Sequence, residues 1–205
     1  MVEVRAVRSQ DELEHVFDLL AAQFSELPDS STSRFADLAA HFPTDRPLML
    51  AAEVDGAVVG GALAFRNDDR AATLRIIAVV ESFRHRGAGR RLVERVETEA
   101  HRLGVHTIEL GADEAVGFWC HLGYTPHLLF QWVYDPGCYE AEAKAVLDGA
   151  LAGFRFWRSS FNDVPQLFVV LDESRLGLLH SVRAAVAGCH VGLMMSKELG
   201  YLSAS

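Results

Sequence analysis

The sequence predicts an α/β fold with a mixed sheet, followed by a smaller α/β segment. Three observations carry this. In the first third of the chain, short runs alternate apolar and polar residues, as half-buried strands do. Asp55-Gly56 separates two such runs, as expected of a tight hairpin turn that needs positive φ. From about residue 89 the apolar period changes from two to 3.6, and another strand-like run follows, which reads as a parallel, right-handed βαβ unit.

The elements follow in order. Residues 2–7 alternate as a strand. Ser9 and Glu12 form a capping box opening a helix whose apolar face carries Leu13, Val16, Phe17, Leu20 and Phe24. Leu27-Pro28-Asp29-Ser30 is expected to end it, and a second short helix is expected over residues 33–41, stopped by Pro43. Strands are predicted at 48–54, 57–65 and 73–80. A helix over 89–103 bears the stripe Leu92, Val93, Val96, Ala100 and Leu103, with Gly104 placed to terminate it. A strand at 106–110, a short helix at 114–122 closed by Gly123 and a strand region at 124–134 complete a first domain, residues 1–138. Residues 139–205 read as a C-terminal α/β extension: a helix over 139–151, a strand pair at 154–160 and 166–171, a helix over 173–187 and a strand at 190–195. The extension is expected to pack on the first domain or on a second subunit, giving a possible homodimer.

Composition narrows the function. The chain has 205 residues, 50% hydrophobic, with a formal net charge of -9. That balance suits a packed globular protein and speaks against a general nucleic-acid binder, which needs a basic face. Apolar runs fall far short of the ~20 residues that span a bilayer, and the first residues lack a signal-peptide pattern, so no membrane partner and a cytoplasmic location are expected. Cys120, Cys138 and Cys189 are scattered, as are the nine histidines, so reduced thiols and no metal site are expected.

Within this acidic chain, Arg84, Arg86, Arg90 and Arg91 cluster around Gly87-Ala88-Gly89, between a strand and the start of an amphipathic helix. A helix N-terminus offers unsatisfied N–H groups and the positive end of the helix dipole. Glycines let the backbone approach an anion closely, so the loop suits a pyrophosphate. A P-loop is excluded, because no Lys-Ser/Thr follows Gly89. A Rossmann fingerprint is nearer, with Glu109 twenty residues beyond Gly89, but its glycines should follow the strand directly and its sheet does not open with an antiparallel meander.

The stretch from Ala78 to Leu92, containing Arg84-x-x-Gly87-x-Gly89, resembles the acyl-CoA-binding motif of the GNAT acetyltransferases. The order of elements before it is similar to that family, as is Ala115-Val116-Gly117-Phe118-Trp119-Cys120-His121-Leu122-Gly123-Tyr124 after it. The resemblance covers about residues 2–134. It implies acetyl-CoA as cosubstrate, its pyrophosphate held by Arg84, Arg86, Gly87, Ala88, Gly89 and Arg90, and its pantetheine arm bonded to the strand edge at Ala78, Val79 and Val80. It further implies acetyl transfer to a primary amine of a small cationic acceptor.

Such chemistry needs a base for the ammonium and is helped by an acid for the leaving thiolate. The tyrosine that many members use as acid is replaced here by Trp119. Cys120, His121 and Tyr124 are the nearby substitutes. Residues 71–80 hold no carboxylate, which leaves Glu109 and Glu53 as candidate bases. Two other readings stay open: a catalytically silent acyl-CoA-binding module, and an interaction or dimerisation protein on a GNAT scaffold.

Overall fold

The computed structural model of the chain describes residues 1–24, 31–112, 115–161, 163–183, 186 and 189–200. The expected turn at Leu27–Ser30, Glu114 at the start of the expected short helix and Ala187 at the end of the last expected helix lie outside them. The chain divides into two compact units, Met1–Glu109 with Glu198–Ser205, and Leu110–Lys197.

The first unit runs β1 (Glu3–Ala6), α1 (Gln10–Ala21), α2 (Ser31–Asp45), β2 (Met49–Val54), β3 (Ala57–Arg66), β4 (Ala71–Val79), α3 (Ala88–Arg102) and the first three residues of β5 (Thr107–Gly111). Its strands lie side by side in that order, antiparallel until the last pair, β4 and β5, which is parallel as expected for a βαβ unit. Asp55 and Gly56 both adopt positive φ, 51° and 82°, as the hairpin turn requires. Leu13, Val16, Phe17 and Leu20 of α1 and Leu38 of α2 pack on Met49, Ala51, Leu63 and Ile76 of the sheet. Fully burying each such side chain contributes ~1.5–3 kcal/mol relative to exposure. On α3, Leu92, Val93, Val96 and Ala100 are buried.

Local chemistry explains the boundaries. Ser9 Oγ accepts from the Glu12 N–H at 3.2 Å and caps α1. The Glu12 carboxylate accepts from the Arg8 N–H and from the Arg5 guanidinium, rather than closing the box on Ser9. Arg5 also pairs with Glu53, so one cation ties β1, β2 and α1 together. The α3 helix ends in a Schellman arrangement, with the Val105 N–H on the Ala100 carbonyl at 3.0 Å and the Gly104 N–H on that of His101 at 3.1 Å.

Three expectations are corrected. Pro43 does not stop α2, which continues to Asp45. The buried Asp45 carboxylate accepts from the Arg66 N–H and Nε at 3.0 and 2.6 Å and lies 3.3 Å from His41 Nδ1, so tertiary bonds hold the turn that proline disfavours. Phe24 lies beyond the end of α1 and is 40% exposed. Residues 173–187 are not one helix: a 3₁₀ turn at Glu173–Arg175 is followed, after Gly177, by the short α6 (Leu178–Arg183).

The second unit also contains α4 (Val116–His121), β6 (Thr125–Gln131), α5 (Tyr139–Asp148), β7 (Phe156–Phe161), β8 (Val164–Val170) and β9 (His190–Glu198). Its strands are ordered β9-β6-β8-β7 and are antiparallel throughout. Strands from the segment expected to form an extension thus flank β6 on both sides. Leu128 and Phe130 of β6, Leu167 and Val169 of β8 and Val191 and Leu193 of β9 face a core with Ala143 and Val146 of α5 and Val182 of α6. Trp132 is fully buried, and its Nε1 donates to Glu142 at 2.9 Å. Among the described residues, no helix is long and apolar enough to cross a membrane.

Candidate functional site

The loop after β4 is built by short-range bonds. The Val80 N–H bonds to Val59 on β3 at 2.9 Å, and the Val80 carbonyl accepts from Phe83 at 2.8 Å. A 3₁₀ turn at Glu81–Phe83 follows. His85 and Gly87 then take left-handed backbone conformations, φ 61° and 81°. Gly87 caps α3 with no side chain of its own, and the Arg91 N–H bonds to its carbonyl at 3.1 Å. Among the described residues, no backbone carbonyl or side chain bonds the N–H groups of Ala88, Gly89 and Arg90. These are the orphan donors of a first helical turn, and the Cα of Gly87 leaves their approach unobstructed. Ala88 is buried, whereas His85, Arg86, Gly87 and Arg90 are exposed.

The arginines divide their work. The Arg86 guanidinium lies 5.5 Å from the centre of the Phe83 ring, Arg90 pairs with Glu94 at 3.4 Å, and Arg91 donates to the Val2 carbonyl at 2.9 Å. Arg84 turns back on the strand, its Nε donating to the Val79 carbonyl at 2.9 Å.

Strand β4 supplies a second feature. It pairs with β5 only at Ala71↔Thr107, Ala72↔Ile108 and Thr73↔Glu109. Among the described residues, no strand pairs with its β5-side edge beyond Thr73 on the run to Val79, while its other edge stays paired with β3 as far as Gly60↔Val79. Antiparallel ladders alternate, and Val80 is bonded to β3. Ala78 therefore directs its backbone groups toward Gly61, and Ile77 and Val79 direct theirs to the open edge. Of the strand residues expected to bond a ligand, Val79 faces that edge, whereas Val80 and Ala78 turn their N–H groups to β3. Arg75, just past the last β4–β5 pair, is an extra residue in the ladder with β3 and reaches Asp37 of α2 at 3.4 Å.

Glu109 sits opposite Thr73 at the point where pairing stops. Burial pushes its carboxyl above the usual range, and the neighbouring charges of Asp68 and Glu198 push it further. Glu53 is held by Arg5, whose hydrogen bond draws its carboxyl below the usual range, so it serves the clamp between β1 and β2.

The family model described as Acetyltransferase (GNAT) family matches residues 13–124. The chain belongs to that family. No curated protein matches it. Among solved structures, a GNAT family acetyltransferase from Elizabethkingia anophelis with acetyl-CoA bound aligns at TM-score 0.51 and 13% identity, over 82% of this chain and 95% of that one. A Salmonella typhimurium protein solved with its cofactor acetyl-CoA aligns at 0.53 and 15%, over 100% and 98%. The ribosomal-protein-S18-alanine N-acetyltransferase from Escherichia coli aligns at 0.50 and 16%, over 99% and 97%. These likenesses show a GNAT fold.

In this GNAT chain the second motif lies in the second unit. Trp119 is 4% exposed and packs edge-on against Phe118 and Tyr124, ring centres 5.1 Å apart in each case. It is a packing residue. Tyr124 is buried, with the Lys197 ammonium 5.5 Å from its ring centre, and Cys120 on α4 is a half-buried cysteine outside any disulfide. The sequence reading missed His127, a buried imidazole 2.6 Å from Ser196 Oγ that burial, then the charge of Arg155, pushes down to about 4. It also missed Arg75, although Arg75 is the one charged residue of the β4 run and its place there was a visible signal.

Proposed function

We propose that the chain is an N-acetyltransferase that moves the acetyl group of acetyl-CoA to a primary amine of a small cationic acceptor. The observation that supports this best is the end of β4–β5 pairing at Thr73↔Glu109, on a strand that leads to a loop whose helix-start amides have no partner among the described residues. A coenzyme has a phosphate end and an amide-bearing arm, and these two features offer complementary groups for both. The amides from Arg86 to Arg90 take the pyrophosphate, with Arg84 and Arg86 adding charge. The open edge at Val79 takes the pantetheine amides, as a strand takes another strand.

Glu109 is the base in this reading. An aliphatic ammonium has a pKa near ~10, and a carboxylate with a raised pKa receives its proton more readily than an ordinary one. The amine then attacks the thioester carbonyl, the C–S bond breaks, and the thiolate takes a proton from water. The acidic neighbours Asp68 and Glu198 suit a cationic acceptor. A cytoplasmic location fits this chemistry, as does a homodimer through the edge strand β7, where Phe156 and Trp157 are 48% and 43% exposed. One observation favours the alternative of a silent acyl-CoA-binding module: Trp119 stands where the family's acid would be.

Free-thiol release from acetyl-CoA across a panel of amines tests the proposal. Turnover with at least one amine is expected. Saturable acetyl-CoA binding without turnover on any of them overturns the catalytic reading in favour of the binding module.

A further inference from the structure

Arg84 and Val79 are bonded to each other, yet each suits a different half of a coenzyme. Val79 presents its carbonyl on the edge of β4 that β5 leaves open, and the Arg84 Nε sits on that carbonyl at 2.9 Å. An extended amide chain entering this edge would donate to the same oxygen. Arg84 also opens the loop that carries the unpartnered helix-start amides, and its side chain is exposed. A neutral carbonyl offers a guanidinium one uncharged acceptor, whereas a diphosphate offers opposite charge and bidentate acceptance.

We propose that Arg84 is a positioning residue that acts as a latch: it releases the Val79 carbonyl when it takes the coenzyme's diphosphate, and so opens the strand edge to the pantetheine arm. The inference rests on the coenzyme reading above and adds a coupling to it. A pantetheine arm alone must displace Arg84, whereas with a diphosphate bound Arg84 has already moved. The two halves of the coenzyme then bind cooperatively, and by linkage each raises the affinity of the other by the same factor.

The experiment uses the whole chain with ADP and pantetheine as separate probes, each titrated alone and with the other saturating, alongside coenzyme A. In the wild-type protein, saturating ADP is expected to tighten pantetheine binding roughly fivefold or more, the lower end of ordinary coupling. In Arg84→Ala the coupling factor falls to about one, because pantetheine alone reaches the affinity seen with ADP in the wild type, while ADP binds more weakly. An unchanged thermal transition of the variant shows that the loop is intact. If the wild type binds coenzyme A but the halves bind independently, or if Arg84→Ala keeps the coupling, the latch is overturned and the coenzyme site stands. If the wild type binds no coenzyme A, both fall.

Discussion

Thr73 on β4 and Glu109 on β5 form the last pair of the parallel ladder among the described residues. Glu109 thus stands at the closed end of an open strand edge, and Gly87 and the start of α3 follow the other end of β4. The spacing of the proposed base from the proposed phosphate loop is the geometry on which the first two predictions depend.

Glu109→Gln is expected to lower kcat/KM by roughly 100-fold or more, the usual worth of a positioned base. In the wild type, kcat/KM should rise with pH through a value above the ordinary Glu range, and the variant should lose that limb. Stability carries a second signature. Because the folded-state pKa is raised, the native state binds the proton more tightly than the unfolded chain. The stabilisation is complete below the ordinary value of 4.5 and lost as pH rises through the raised one. Melting temperatures should therefore favour the variant near neutral pH and converge with the wild type in acid. Unchanged kinetics would remove Glu109 from the mechanism.

Gly87→Asp is expected to weaken coenzyme binding beyond calorimetric detection. A Cβ at this position meets nothing within 4 Å, so the fold should survive, at the cost of about 1 kcal/mol for a side chain at φ +81°. The carboxylate would then face the anion that the amides are meant to hold. Retained affinity in the folded variant would show that the phosphates bind elsewhere.

Gly61→Ala probes the sheet under α1. Its Cβ would lie 2.7 Å from the Leu50 carbonyl and 2.9 Å from Val16 Cγ1, and backbone cannot give way cheaply. A loss of about 2 kcal/mol is expected from overpacking, read by denaturant unfolding. A neutral result would mean that α1 is not seated on β3 as described.

Arg5→Ala removes the cation shared by Glu12 and Glu53, and a loss of about 2–3 kcal/mol at pH 7 is expected from the two half-buried carboxylates left behind. Both carboxyls have folded-state pKa values drawn below the ordinary 4.5, chiefly by their bonds to Arg5. Their contribution is present above that value and disappears as pH falls through the lowered ones. The wild type should lose stability on acidification more steeply than the variant, and parallel curves would contradict the clamp.

The features that the sequence made legible are those written within a few residues. The Ser9 cap, the Asp55-Gly56 turn, the close of α3 at Gly104 and the glycine turn at Gly87 that opens α3 are local devices, and each is found where the spacing put it. What escaped was set by distant partners. Pro43 reads as a stop until the Asp45–Arg66 bonds are known. The direction of the Val79 and Ala78 backbone groups depends on the register with β3, and residues 173–187 have a helical pattern that Gly177 interrupts. At the candidate site, the conformation of the loop at Gly87 was readable. The pairing of Thr73 with Glu109 and the bond from Arg84 to Val79 needed the folded sheet.

The place of β6 has a consequence for how the protein is made. Its partners β8 and β9 are both translated after it, and the second ends at Glu198, 67 residues beyond Gln131 (198 − 131). At ~5–20 residues per second, the ribosome leaves this apolar strand with neither neighbour complete until β8 ends at Val170, about 2–8 s later. A nascent chain stalled in that interval carries Leu128, Leu129 and Phe130 uncovered on two raw edges, which makes this stretch a chaperone's natural point of contact and the first place where overproduction would turn to aggregate.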